Sequence, residues 1–177
     1  MKTRNWTAEK RVVVLAVACL IFLTALFVLP FHSEAEEENA KIYRKITKEE
    51  AEKLLKELGL FPKLKENNIA GETSIIFRIG GYNVGLLLLD CTRADKVTCA
   101  ELHLRSYFNT EKEPGDKTLL RVNEWNKKKR WLKSFMNDDG GVGLATNLDI
   151  RGGVTKQTIE NFIRDFPLML NAFVKNF

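Results

Sequence analysis

The apolar positions of this chain change spacing several times, and each change predicts an element. Ala51, Leu54, Leu55 and Leu58 recur at helical spacing. Thr47 and Glu50 ahead of them form a capping-box sequence, with Ile46 and Ala51 placed as a hydrophobic staple. Gly59 is placed to end that first helix. Residues 62–72 read as connection. From 73 to 79 the period falls to two, with Ile75, Phe77 and Ile79 on one face of a strand. Gly80-Gly81 permits a tight reversal. Residues 83–91 are a second, more apolar strand, 92–97 a polar loop, and 98–108 a third strand. In that third strand Ala100, Leu102, Leu104 and Phe108 share one face, while Glu101, His103 and Arg105 face water.

Pro114-Gly115 lies in a loop. A second helix is expected over 117–128, carrying Leu119, Val122 and Trp125, followed by a fourth strand over 130–136. Asp138-Asp139-Gly140-Gly141 is a hairpin turn into a fifth strand over 142–150. Gly152-Gly153 breaks that strand and Thr155 caps the last helix. Its apolar stripe is Ile159, Phe162, Ile163, Phe166, Leu170, Phe173 and Phe177, and Pro167 should kink it. The order is helix, three strands, helix, two strands, helix. Segregated strands of this kind predict an α+β fold, a three-stranded antiparallel meander plus a β-hairpin with three helices.

Ahead of this domain, Lys2, Arg4, Lys10 and Arg11 precede an uninterrupted apolar run over 12–29, ended by Pro30. Small residues follow at Ser33 and Ala35. Residues 1–35 therefore read as a signal peptide or a membrane anchor, 36–45 as a linker and 46–177 as the domain. Either form of leader places the domain outside the cytoplasm, secreted or held at the inner membrane. Ala16-Val17-Ala18 before Cys19 is a poor lipoprotein box. The net charge is +5, and the leader supplies part of it with four Lys/Arg against two Glu. What remains is a mildly basic surface, so nucleic acid is not an expected partner.

The stretch Val122-Asn123-Glu124-Trp125-Asn126 and the basic run Lys127-Lys128-Lys129-Arg130 have a residue choice that propensity alone does not explain. Asn123 and Asn126 share a helix face. With Trp125 and Arg130 they are the candidate binding residues for a peptide or small ligand. The preferred alternative is structural, with the Asn amides bonding backbone where helix meets strand and both Trp125 and Trp131 in the core. The basic run suits a solvated turn, or else an acidic partner or anionic lipid. In the domain His103 is the sole histidine, and no Ser or Cys is placed to use it. Cys91, Cys99 and His103 lack a fourth zinc ligand, and turn chemistry alone accounts for Asp138-Asp139-Gly140-Gly141. No catalytic residue, metal or cofactor is expected.

Several of these motifs, in this order, resemble the YbjN domain, whose fold is similar to that of type III secretion chaperones. The resemblance spans residues 46–173. It rests on Val122-Asn123-Glu124-Trp125-Asn126 with Arg130, on Asp138-Asp139-Gly140, on the alternating fifth strand and on Gly152-Gly153-Val154-Thr155. It implies a bacterial sensory-transduction regulator, and it supplies no catalytic residues. Cys91 and Cys99 look like the pair found in secreted members. The residues point the same way, since antiparallel pairing of the second and third strands brings 91 and 99 together in an oxidising compartment. One complication is that Cys91 shares a face with Leu87 and Leu89, and Cys99 with Glu101 and His103. A bulge or the loop is then needed to turn one of them over.

The expected function is a non-enzymatic protein- or peptide-binding module of the cell envelope that uses its sheet face or edge. A homodimer is compatible with this, as is membrane attachment through an uncleaved leader. The alternative is a hydrolase or metal-dependent enzyme using His103 with nearby acidic residues.

Overall fold

The computed structural model describes residues 41–66, 73–93, 95–109 and 116–176. The leader, residues 36–40 of the linker, Pro114-Gly115 and Phe177 lie outside them. The elements run β1 (Ile42–Tyr43), α1 (Lys48–Glu57), β2 (Lys63–Glu66), β3 (Thr73–Ile79), β4 (Tyr82–Arg93), β5 (Val97–Phe108), α2 (Asp116–Lys128), β6 (Lys133–Met136), β7 (Val142–Asp149), β8 (Val154–Thr155) and α3 (Lys156–Asn176). Helices and antiparallel strands are segregated, so the fold is α+β. Among the described residues no helix is long and apolar enough to cross a membrane.

Six strands form one antiparallel sheet in the order β2-β3-β4-β5-β7-β6. β7 inserts between β5 and the edge strand β6, because α2 carries the chain past that position before the hairpin folds back. The 75/77, 84/86/88, 102/104 and 142/144 rows all point into one core. Helix α1 contributes Ala51, Leu54 and Leu55 to it, α2 contributes Val122 and Trp125, and α3 contributes Ile159, Ile163, Phe166, Leu170 and Phe173. Each helix thus buries one apolar stripe against the same sheet face.

Local signals act as the sequence suggests at most ends. Thr47 Oγ1 accepts the Glu50 N–H at 3.2 Å, and Glu50 Oε2 accepts the Thr47 N–H at 3.0 Å, which completes the capping box. The α1 terminus closes through Leu60 N to Leu55 O and Gly59 N to Lys56 O, with Gly59 at φ 74°. Asp139 Oδ1 accepts the Gly141 N–H at 2.9 Å within the β6–β7 turn. Thr155 Oγ1 accepts the Thr158 N–H at the head of α3. Helix α3 runs unbroken through Pro167, whose ring packs against the β3–β4 turn. A Cβ on Gly80 would stand 2.6 Å from that of Pro167, so this turn requires glycine twice over, for space and for its φ of 59°.

Several expectations are corrected. The connection over 62–72 holds an edge strand, β2, whose Lys63-Leu64-Lys65-Glu66 is too charged and short to read as one. Pairing with β3 creates it. The loop over 92–97 is shorter than expected, because β4 runs to Arg93 and β5 starts at Val97. A two-stranded sheet, β1 with β8, was not foreseen. Leu119 of α2 is exposed, not core. The fourth strand begins at Lys133 instead of residue 130.

The cysteine pair is also simpler than its sequence suggests. Leu89 lies opposite Glu101 and Leu87 opposite His103, so the two sets are one face of the ladder, and Cys91 falls directly opposite Cys99. The N–H and C=O of Cys99 both bond Ile46, on its other side. Cys91 and Cys99 are therefore a non-hydrogen-bonded pair, the closer of the two antiparallel arrangements. They stand at disulfide distance, with Cα atoms 3.9 Å apart. Neither needs turning over relative to the other. The irregularity lies at Asp90, with φ 52°, where the ladder skips a pairing and the Ala100 carbonyl accepts the Ile150 N–H instead.

Candidate functional site

Asn126 is fixed by what lies beyond the helix. Its Oδ1 accepts the Ser134 N–H at 2.8 Å, and its Nδ2 donates to the Ser134 carbonyl at 2.9 Å. The amide thus imitates a neighbouring strand and holds the start of β6. The Ser134 hydroxyl, buried, donates to the Val122 carbonyl at 3.1 Å. One turn away, Trp125 Nε1 donates to the Leu132 carbonyl at 2.9 Å, and its ring meets Phe173 edge-on at 4.9 Å. Both residues are structural ties. Asn123 and Arg130 are exposed, and Arg130 lines a hollow with Trp125.

What they build is adjacent. Drawn toward α2, the chain bends at 130–131, and Trp131 is 74% exposed rather than in the core. Because β6 starts at Lys133, opposite Ala145, it covers only half of β7. Residues 146–149 pair with β5 on one side and have no strand on the other among the described residues. A cleft of about 500 Å³ opens there, lined by Trp131, Thr146, Leu148, Phe162, Leu168 and Met169, with Asn147 and Asp165 as its polar members. A smaller hollow of about 240 Å³ lies against Trp125, Lys129, Arg130 and Trp131. Leu168 is 65% exposed. A bare strand edge beside exposed apolar side chains is a place where another chain can pair.

Charge around this cleft is uneven. Lys129 stands over the Trp125 ring at 5.6 Å and Arg130 over the Trp131 ring at 5.9 Å. Among the described residues no carboxylate is within ion-pair distance of either. Glu124 takes Lys128 instead, at 3.2 Å. At the far end of the open edge, the Arg151 side chain and its backbone N–H hold the Asp149 carboxyl down at about 2, so Asp149 is ionised and occupied.

His103 lies in a cross-strand row. Its Nδ1 is 2.9 Å from Asn147 Oδ1, and Asn147 Nδ2 donates to Glu101. The amide stands between imidazole and carboxylate, so the row can orient the ring without direct contact to an acid. Among the described residues no group of three His, Cys, Asp or Glu side chains could hold a metal ion.

Sequence reading missed the open edge together with Leu168 and Met169. The available signal was phase at Leu168, which is apolar but falls outside the stripe that builds the core, whereas Met169 packs at the margin of that core.

No curated protein matches the chain. The model of one family, described as "putative bacterial sensory transduction regulator", matches residues 47–177, from the α1 cap to the chain end. The chain therefore belongs to the YbjN family.

Proposed function

We propose that this domain is a non-enzymatic regulatory module of the bacterial cell envelope that works by binding a protein or peptide. The observation that carries the reading is the uncovered half of β7 beside the Trp131 cleft. An extended segment laid on a strand edge gains main-chain hydrogen bonds, and neighbouring pockets select its side chains. The family resemblance implies a fold similar to that of type III secretion chaperones, which bind proteins, and this supports the same view. The basic residues ahead of the apolar run at 12–29 support a domain lying beyond the membrane. An alkaline-phosphatase fusion at Glu36 should be active, whereas activity from a cytoplasmic reporter alone would sink that placement.

Pull-down from envelope extracts tests the function. The chain should retain a specific protein that its Trp131→Ala variant does not. Repeated failure to retain any specific partner counts against the proposal. The oriented His103–Asn147–Glu101 row keeps a hydrolase reading in view. Substrate screening with a His103→Ala control separates the two, since activity abolished by that change would replace the binding reading.

A further inference from the structure

The edge of β7 is vacant for a reason that also defines what fills it. Continued in register, β6 would place Leu132 opposite Thr146, Trp131 opposite Asn147 and Arg130 opposite Leu148. The Asn126 grip on Ser134 and the bond from Trp125 to Leu132 draw the chain away before it gets there. The lane is thus already open, and its opening is tied into the fold. A lipid surface or a small apolar molecule could fill the cleft, but neither supplies donors and acceptors at strand spacing. Another polypeptide backbone supplies both.

Alternate side chains of an added strand point to opposite faces. One row meets Phe162, Leu168 and Met169, which selects large apolar residues. Around the indole of Trp131, Lys129 and Arg130 are the cations with no carboxylate at ion-pair distance among the described residues. Asp165 is the acidic exception in the lining and suits a hydrogen-bond donor between the apolar positions.

Resting on the binding function proposed above, we propose that residues 146–149 receive, as an added strand, an extended segment of a partner protein. Its apolar residues alternate, and a carboxylate at one end meets Lys129 and Arg130. Complementary charge at such a rim fixes register and suppresses wrong partners.

The test uses the full chain against a displayed library of random nine-residue peptides, followed by synthesis of the selected sequences. Selected peptides should alternate apolar residues and carry a flanking Asp or Glu. Trp131→Ala, at a position exposed enough to leave folding intact, should weaken their binding by about thirtyfold. The double variant Lys129→Glu with Arg130→Glu should weaken it by about tenfold and shift selection toward basic flanks. N-methylation of alternate peptide amides should abolish binding in one of the two phases and not in the other.

Binding that ignores the charge reversal overturns this inference and leaves the peptide-binding function standing. So does a partner retained in pull-down equally well by Trp131→Ala, which moves the function to another surface. Capture only by phosphatidylglycerol vesicles, or self-association lost in Trp131→Ala, replaces the peptide with a membrane or a second copy. Absence of any selected peptide together with absence of any partner overturns both proposals.

Discussion

Trp125 and Trp131 lie six residues apart in one segment and meet opposite fates. Trp125 is 8% exposed, bonded through Nε1 and packed edge-on against Phe173. Trp131 is 74% exposed, with a cation over its ring and a cleft on either side. The cause is the bend between them. Helix α2 carries Trp125 inward with Val122, and the ties to Leu132 and Ser134 then set where β6 can begin. A large aromatic side chain therefore anchors the fold at one position and advertises a surface at the other, although composition treats the two alike.

That contrast can be broken experimentally. Trp125→Ala should cost about 3–5 kcal/mol in urea unfolding, through its cavity and the orphaned Leu132 carbonyl. A loss below about 1 kcal/mol would mean that Trp125 is no anchor. Opening the Cys91–Cys99 pair should cost roughly 2–3 kcal/mol and leave Trp131 binding unchanged, which separates loss of fold from loss of site. Thiol labelling under denaturing, non-reducing conditions comes first, because two free thiols among residues 36–177 of freshly isolated protein would remove the disulfide from the account. Asn126→Ala should cost about 1–3 kcal/mol, since the Ser134 backbone loses both partners. Unchanged melting with lost ligand binding would instead make Asn126 a ligand contact.

Acid offers a smaller effect at the head of α1. Partial burial disfavours the charged form of Glu50, but the Lys41 ammonium and the Thr47 N–H outweigh it and hold Glu50 below its ordinary 4.5. A depressed carboxylate stabilises the fold above its unfolded value, and that contribution is lost as pH falls through the lower, folded value. The stability gap between the native chain and Glu50→Gln should therefore be present at neutral pH and close below about pH 4.5. A gap that persists into strong acid would contradict this. Smallest of all, Trp131→Ala should shift stability by no more than about 0.5 kcal/mol. A larger drop would show that Trp131 is covered by the fold after all.

The sequence made the repeating elements legible and left the site hidden. The Thr47–Glu50 box, the 73–79 alternation and the Asp138–Gly141 turn each carry their own local cause, so they read correctly. β2 and β1 do not, because two to four residues become strand only through the partner they pair with. The start of β6 was misread for a related reason. Nothing in Arg130-Trp131-Leu132 forbids a strand, and the bend is imposed from α2 by Asn126 and Trp125. Asn126 bonds the Ser134 backbone, as the structural reading of the Asn amides expects, but an uncovered edge is a property of two neighbours and leaves no mark on either sequence segment.

The small sheet of β1 with β8 joins Ile42 and Tyr43 to residues more than a hundred positions downstream. Such a pairing is entropically late, because a very long loop must close before it yields any contact. Ile42 and Tyr43 cannot make this pairing until the chain has been made as far as Thr155. The final stitch falls to the segment that opens α3.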